Sequence, residues 1–353
     1  MKYQLESKEV MSMTENALLS ATNVKTSFRI GDDYYAAVDG VTLTVNNNEV
    51  VAIVGESGSG KSALAFSILG LHDRFKTNLE GEIYLNGTDL TSVSTGKLNQ
   101  IRGKDIGMIF QDPLTALNPL KTIGDQIVET LNLHTKLTAK EKYERSIHLL
   151  KEVGIPRAEN VHQQFPHELS GGMRQRVVIA IAIACDPALL IADEPTTALD
   201  ATIQSQILDL LNELKEEKDA GIILITHDLG VVAEMADRVA VMYAGQIVEL
   251  ADVFSLFRNP LHPYTRSLLS SVPSVKDEKE MLHVIEGVVP SLPKMPRQGC
   301  RFKDRIPWME DNVHEEHPEL REVENGHYVR CTCYKHFYFP EEEEELAHVD
   351  TNY

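Results

Sequence analysis

The sequence has no long hydrophobic run. Its longest aliphatic stretch, residues 177–184, falls well short of the roughly 20 residues that a membrane-spanning helix needs. The N-terminus also lacks a basic region followed by an apolar core, which is the pattern of a secretory signal. We therefore expect a soluble chain that works in the cytoplasm.

Positive charge and cysteine are also scarce. The chain has 34 Lys and Arg residues against 53 Asp and Glu residues, a net charge of −19. Because nucleic-acid binding needs a basic surface, we expect no general affinity for DNA or RNA. Only four cysteines occur, and three of them, Cys300, Cys331 and Cys333, come late in the sequence. Such usage indicates a reducing compartment and no disulfide framework.

Residues 55–62 predict a phosphate-binding loop. Their sequence, GESGSGKS, follows the pattern G-x-x-x-x-G-K-[ST] between an apolar strand-like segment and a helix-like segment. In such a loop backbone N–H groups point at phosphate oxygens, the lysine reaches the β- and γ-phosphates, and the final hydroxyl binds Mg²⁺. A glycine-rich turn that binds nothing is the alternative, which the matching strand, loop and helix disfavour. The predicted ATP contacts are Gly55, Glu56, Ser57, Gly58, Ser59, Gly60, Lys61 and Ser62, and Ser62 is also a predicted Mg²⁺ ligand.

A second motif ends in two acids. Residues 188–194, ALLIADE, form an apolar strand-like run that ends in Asp193 and Glu194. At the tip of a parallel strand Asp193 can hold Mg²⁺ through water, and Glu194 can polarise the water that attacks the γ-phosphorus. Acids often follow strands as ordinary solvated groups, so this interpretation depends on the phosphate-binding loop nearby.

Residues 169–175, LSGGMRQ, predict a second anion site at the start of a helix. A second γ-phosphate site makes sense if it serves a nucleotide bound to another subunit. The motif resembles the signature of the ATP-binding cassette (ABC) ATPases, LSGGQ followed by basic residues, with Met173 in place of the glutamine. The resemblance assigns Ser170, Gly171, Gly172 and Gln175 to ATP held by the opposite subunit.

Further motifs follow the order found in that family. Gln111, in FQDP, matches the glutamine that contacts the metal and the attacking water. His227, in ITHD, matches the switch histidine that contacts the γ-phosphate, and Asp200 ends the ALD of the loop that crosses the dimer interface. The resemblance implies Glu194, His227 and Gln111 as catalytic residues. For the aromatic residue that stacks on adenine we choose Phe28, with Tyr35 as the alternative.

The resemblance implies an α/β fold with a RecA-like P-loop NTPase core, an antiparallel β subdomain, a helical subdomain and a C-terminal extension. Alternation of apolar strands with helices agrees with a parallel sheet covered on both faces. The predicted units are a loose segment at 1–17, an ABC ATPase domain at 18–255 with its helical subdomain near 112–175, and an extension at 256–353 with an acidic tail at 341–345.

Two stretches resemble the oligopeptide/dipeptide/nickel importer group of the family. They are QDPLTALNPL at 111–120 and NPLHPYTRSLLSSVP at 259–273. A third, IRGKDIGMIFQDP at 101–113, resembles the first more than the second of the two ATPase subunits that such importers use. The resemblance implies an ATPase on the cytoplasmic face of the cell membrane that couples ATP binding and hydrolysis to oligopeptide uptake.

The implied partners are a second ABC ATPase subunit, two transmembrane permease subunits and an extracytoplasmic peptide-binding protein, with no nucleic acid. We favour a heterodimer of ATPase subunits over a homodimer. A dipeptide or nickel/metal-chelate importer is the alternative. A non-transport ABC ATPase is disfavoured because the segment from Lys61 to Ser170 is too short for a long coiled coil and the chain has one cassette. A binding-only cassette is disfavoured because Glu194 and His227 are both present.

The resemblance also bears on the cysteines. Related peptide-importer subunits often carry four cysteines in the extension, some of which are thought to hold an iron–sulfur cluster. This chain keeps Cys300 but has Ile306 and Val313 where two of the others align, and Cys331 and Cys333 remain. Because a cubane cluster normally needs four thiolates, we expect no iron–sulfur cluster and an extension held by ordinary packing.

Overall fold

The computed structural model describes residues 17–197, 199–271 and 287–340. The described strands are β1 (Leu19–Ile30), β2 (Asp33–Val45), β3 (Val50–Val54), β4 (Thr77–Leu85), β5 (Thr88–Asp89), β6 (Ile106–Ile109), β7 (Leu189–Asp193), β8 (Gly221–Ile225), β9 (Arg238–Tyr243), β10 (Gln246–Asp252), β11 (Leu320–Glu324) and β12 (His327–Arg330). The described α-helices are α1 (Lys61–Leu69), α2 (Thr95–Ile101), α3 (Pro113–Ala116), α4 (Ile123–His134), α5 (Ala139–Glu152), α6 (Ala158–Val161), α7 (Gly171–Ala182), α8 (Ala201–Lys218), α9 (Leu229–Met235), α10 (Val253–Arg258) and α11 (Pro263–Ser270).

A largely parallel sheet forms the centre of the structure. Its strand order is β11-β12-β10-β9-β3-β8-β7-β6, and the neighbours from β9 to β6 are parallel. Every residue of β3, β7 and β8 is buried, which explains why these strands are apolar throughout except for Asp193 at the end of β7. Because parallel strands end at the same edge, the loops that follow β3, β6, β7 and β8 meet there. That edge carries the candidate site.

A separate antiparallel sheet has the order β2-β1-β4-β5. Its long strands β1 and β2 pair from Leu19↔Val45 to Ile30↔Asp33. A tight hairpin joins β4 to β5: Asn86 and Gly87 have φ angles of 47° and 73°, as a type I′ turn requires at both positions. The expected α/β fold with an antiparallel sheet is therefore confirmed.

The chain between β6 and β7 is helical. Thr122 caps the N-terminus of α4, and Thr138 with Glu141 forms a capping box at the start of α5. The apolar faces of α4 and α5 are buried together with α7 in one core, to which Ile127 and Leu150 belong. Gly154 follows α5 with a φ angle of 71°, a left-handed conformation that ends the helix.

The C-terminal segment, which comprises the described residues 256–271 and 287–340, adds two strands to the central sheet. Strand β12 pairs antiparallel with β10, and β11 pairs with β12. Aromatic rings join this segment to the rest of the structure: the ring centroid of Tyr243 in β9 lies 4.7 Å from that of Tyr264 and 5.3 Å from that of Phe302.

The predicted acidic tail lies outside the described residues, as does nearly all of the predicted loose N-terminal segment. Within the part of the chain that the structure describes, no helix is long and apolar enough to cross a membrane.

One buried carboxylate fastens the C-terminal segment to β10. Glu249 is fully buried and accepts hydrogen bonds of 2.8 Å from the backbone N–H groups of Leu261 and His262. Its Oε1 also lies 2.8 Å from Nε2 of His327 on β12. A buried donor that loses its acceptor costs about 1–3 kcal/mol, so this one side chain contributes strongly to the attachment.

We predict that Glu249→Ala lowers the free energy of unfolding by roughly 3–5 kcal/mol, because it leaves two buried amides and a buried imidazole without their acceptor. The measurement is urea unfolding followed by circular dichroism. Glu217→Ala, at an exposed position of α8, is the matched control and should shift stability by less than about 0.5 kcal/mol. Equal unfolding midpoints for the two variants would contradict the role given to Glu249.

Candidate functional site

The phosphate-binding loop lies between β3 and α1, and its glycines are required by the backbone. Gly55 and Gly60 have φ angles of 149° and 106°. A Cβ atom at Gly55 would lie 2.1 Å from the carbonyl oxygen of Met242, and one at Gly60 would lie 2.5 Å from that of Ala37. Other residues cannot fit there without moving β2 or β9. The loop is therefore held close against both sheets.

Lys61 folds back over the loop. Its Nζ donates hydrogen bonds to the carbonyl oxygens of Gly55 at 2.6 Å and Glu56 at 3.0 Å. Burial lowers the pKa of Lys61, and the nearby carboxylates of Glu194 and Asp193 oppose that effect. The ammonium group therefore lies at the loop, near the carboxyl groups of Glu194 and Asp193, where it can also bind a phosphate oxygen.

The hydroxyls of the loop suit phosphate and a hard cation. Among the described residues the buried Oγ of Ser59 has no hydrogen-bond partner, so it has an unused donor at the place where a phosphate is expected. The Ser62 hydroxyl donates to the carboxylate of Asp193 at the end of β7. Burial raises the pKa of Asp193, and the Ser62 hydrogen bond opposes this. A buried carboxylate beside a hydroxyl is the oxygen donor set that Mg²⁺ prefers, so these residues fit the metal.

Three other side chains contact the carboxylate of Glu194. Gln111 Nε2 donates to Oε2 at 2.8 Å, and Thr197 Oγ1 donates to the same oxygen at 2.9 Å. His227 Nδ1 lies 3.2 Å from Oε1. Glu194 itself has a φ angle of 48°, an uncommon left-handed conformation for a residue with a side chain. The structure thus brings together Gln111, Glu194 and His227, the three predicted catalytic residues.

These contacts determine the charge on Glu194. Burial raises the pKa of the carboxyl, but hydrogen bonds from Thr197, His227 and Gln111 together outweigh it, so that the pKa lies below its ordinary value. The side chain is therefore an anion at neutral pH. An ionised carboxylate can accept a hydrogen bond from water, which is what a general base must do.

The signature residues form a different cavity. It has a volume of about 500 Å³ and is lined by Gly154, Pro156, Ser170, Gly171, Gly172, Met173, Arg176, Leu199, Asp200, Ile203 and Gln206. Ser170 is the N-cap of α7 and Asp200 is the N-cap of α8, so two helix N-termini face this space. As far as the structure describes its walls, the cavity includes no residue of 55–62. Gln175 is buried and does not line it.

The two aromatic candidates for adenine stacking face each other across strands. Phe28 of β1 pairs with Tyr35 of β2 in the antiparallel sheet, and both are partly exposed. The Phe28 ring makes an edge contact with His72, with centroids 5.0 Å apart. The choice of Phe28 stays a prediction.

Comparison with known proteins decides the family. A family model described as ABC transporter matches residues 38–197, and one described as the C-terminal region of oligopeptide/dipeptide transporters matches residues 248–311. The oligopeptide transport ATP-binding protein OppD of Lactococcus lactis subsp. cremoris (strain SK11) is 51% identical over 331 residues, which cover 94% of this chain and 98% of that protein. The chain belongs to the ABC transporter ATPase family. The resemblance expected from the motifs is confirmed.

Other relatives of this ABC ATPase agree. The oligopeptide transport ATP-binding protein AppD of Bacillus subtilis (strain 168) is 49% identical, covering 91% of this chain and 98% of that protein. Among solved structures, the dimeric post-hydrolysis state of the ATP-binding cassette MJ0796 bound to ADP and Pi has a TM-score of 0.61 at 30% identity. The match covers 67% of this chain and 98% of that one, which confirms the predicted P-loop NTPase fold.

Sequence reasoning missed the contacts that the C-terminal segment of the ABC ATPase makes with its phosphate-binding loop. Tyr264 accepts a hydrogen bond of 2.7 Å from the backbone N–H of Glu56, and Arg305 contacts the Glu56 carboxylate at 2.6 and 3.2 Å. These partners are 208 and 249 positions apart, so no local pattern could have indicated them. Because Tyr264 accepts the Glu56 N–H and the Ser59 N–H donates to the Glu56 carbonyl oxygen, two amides of the loop already have partners within the described chain.

We predict that Lys61→Ala weakens ATP binding by about 10- to 100-fold, because a hydrogen bond to a charged group contributes about 1.5–3 kcal/mol. Titration calorimetry with a non-hydrolysable ATP analogue measures the dissociation constant. Lys97→Ala removes an exposed lysine from α2 and should leave affinity unchanged. An affinity for Lys61→Ala equal to that of the control would show that the loop does not bind phosphate as expected.

Proposed function

We propose that the chain hydrolyses ATP as the cytoplasmic subunit of a membrane ABC importer that takes up oligopeptides. The observation that carries the chemistry is the carboxylate of Glu194, held by Gln111, Thr197 and His227. The observation that supports the cargo is the 51% identity to a protein named as an oligopeptide transport ATP-binding protein.

The phosphates of ATP would lie along residues 55–62. Lys61 would exchange its bonds to backbone carbonyls for bonds to phosphate oxygens, and Ser59 would donate its unused hydroxyl. Ser62 and Asp193 would hold Mg²⁺ through their oxygens, with Gln111 as a further ligand. When bound, this ion neutralises charge on the β- and γ-phosphates.

Glu194 would act on the attacking water. Its carboxylate accepts two hydrogen bonds on Oε2, and His227 contacts Oε1, so the orientation of the side chain is restricted. In this orientation it would accept a hydrogen bond from water and draw the proton away as the oxygen approaches the γ-phosphorus. His227 would then shift from Glu194 toward the γ-phosphate, which the resemblance assigns to it.

Two cassettes would be needed for one complete site. The signature cavity around Ser170 and Asp200 includes no residue of 55–62 among its described walls, yet it presents two helix N-termini to an anion. Head-to-tail association of two such chains would place each signature on the other's γ-phosphate. The solved MJ0796 cassette, a structural neighbour at 30% identity, is described as dimeric. Closure and reopening of the pair would drive the permease between its two states.

The surface beside Gln111 would receive the permease subunits. Leu114 and Leu120 are 61% and 86% exposed there, and Phe110 is also exposed. An exposed apolar patch of this kind on an otherwise acidic protein suits the docking of a short helix from a membrane subunit.

We propose two permease subunits and an extracytoplasmic peptide-binding protein as partners, and a peripheral position on the cytoplasmic face of the membrane. A dipeptide or metal-chelate cargo is the alternative, and growth of a deletion strain on defined peptides distinguishes them.

We predict that Glu194→Gln keeps ATP binding and lowers turnover by roughly 100-fold or more, because a positioned base contributes about 10²–10⁴. The measurement is phosphate release together with ATP affinity. Glu213→Gln, at an exposed position on α8, is the control and should hydrolyse ATP at the normal rate. Normal phosphate release from Glu194→Gln would remove the general-base assignment.

We also predict that the assembled transporter contains this chain and a second, different ATPase subunit. The similarity of residues 101–113 to one subunit of two-ATPase importers motivates this. Two different membrane subunits have different binding grooves, and the exposed Leu114 and Leu120 lie on the surface that would contact such a groove. Purification through a tag on this chain, followed by mass spectrometry of the intact complex, is the test. Two copies of this chain with no second cassette protein would establish the homodimer instead.

A further inference from the structure

The C-terminal segment gathers four side chains that can bind a metal. They are Cys300, His314, Cys331 and Cys333, and one ligand atom from each lies within 4.8 Å of all the others. The three cysteines are buried and none forms a disulfide. They come from three separate stretches of chain, before the turn Lys303–Arg305, after the turn Asp311–Val313, and after β12. None of these residues belongs to the nucleotide site.

His314 provides a second, independent observation. Within the described part of the chain, both of its ring nitrogens are buried and neither has a hydrogen-bond partner. A neutral imidazole has one donor and one acceptor, and leaving either unsatisfied inside a protein costs free energy. A metal ion bound by the unprotonated nitrogen would satisfy the acceptor. The ring is therefore placed as a ligand would be.

Two of the three sulfur atoms accept hydrogen bonds from backbone N–H groups. The backbone N–H of Phe302 donates to the sulfur of Cys300, and those of Glu315 and Cys333 donate to the sulfur of Cys331. Hydrogen bonds from outside the ligand set orient metal ligands and stabilise their charge.

The donor set distinguishes between possible metals. A cubane iron–sulfur cluster normally takes four cysteine thiolates, and this chain offers three here, so the residues do not fit the cluster that the family resemblance suggested. Three cysteines and one histidine are instead a common structural zinc site. Around zinc, ligands at about 2.0–2.3 Å in a tetrahedron stand roughly 3.5–3.8 Å apart, which the observed separations allow with small movements.

We propose that Cys300, His314, Cys331 and Cys333 bind one Zn²⁺ as a closed structural site. Four protein ligands leave no position for water, so the ion would not catalyse a reaction. The site would fasten together the three stretches of the C-terminal segment. Arg301 and Arg305 follow Cys300 closely in sequence, and they contact Asp39 and Glu56 of the cassette. Zinc would thus fix the stretch that contacts the phosphate-binding loop, because metal binding and local folding are coupled.

Metal analysis of the purified full-length chain tests the proposal. After expression with both metals supplied, we expect elemental mass spectrometry to find about one zinc ion per chain and negligible iron. Cys331→Ser and His314→Ala should each lose at least about tenfold in zinc affinity, measured by competition with a chromophoric chelator. Cys185→Ser is the matched control, since Cys185 lies outside the group, and it should keep its zinc.

Cobalt substitution tests the ligands without any variant, in case Cys331→Ser fails to fold. Chelator-treated wild-type chain titrated with Co²⁺ should show the strong visible bands of a tetrahedral site and sulfur-to-cobalt charge transfer. His314→Cys should retain zinc and increase the charge-transfer absorbance, because it replaces nitrogen by sulfur. Bound iron with visible absorbance in anaerobically purified protein would overturn the proposal in favour of a cluster. Absence of bound zinc, or an octahedral cobalt spectrum, would overturn it outright.

Discussion

The carboxylate of Glu194 is the point on which separate loops of the cassette converge. It follows β7, while Gln111 follows β6 and His227 follows β8, so its partners are 83 and 33 positions away in sequence. They meet because three neighbouring strands run parallel and end at the same edge. The register of the sheet, more than any single loop, therefore determines the geometry of the site. Glu194 itself adopts a left-handed backbone conformation directly after β7.

Much of the fold could be predicted from the sequence where a local pattern determines the structure. The short, fully buried strands β3, β7 and β8 are apolar runs, with Asp193 at the end of β7 as the exception. Helices α4 and α5 show helical spacing of apolar residues and begin at clear N-caps. Strands β11 and β12 could not be predicted in this way. The sequence of β11, LREVE, is mostly exposed and charged, and the two strands form because β10 offers an unpaired edge that lies far away in sequence.

The candidate site likewise has parts that follow from local sequence patterns and parts that depend on contacts formed only in the folded chain. The phosphate-binding loop, Asp193 and Glu194 are motifs whose residues are adjacent, so their chemistry could be inferred from spacing. Thr197 is also close in sequence, but a threonine in a loop carries no signal of its own, and its bond to Glu194 depends on the turn. Counting thiols in the extension omitted His314, because an isolated histidine next to Val313 is not part of a recognised spacing. Only the folded chain brings it to the three cysteines.

The C-terminal segment is better understood as part of the nucleotide-binding unit than as an attachment to it. Glu56, the second residue of the phosphate-binding loop, gives its backbone N–H to Tyr264 and its carboxylate to Arg305. Arg301, from the same stretch as Arg305, donates to the carbonyl oxygen of Ala244 and contacts Asp39. The loop is therefore held from both sides, by the cassette's own glycine contacts and by the segment. Anything that fixes the segment, whether the buried Glu249 or a metal ion, must also restrict the positions that the loop can adopt.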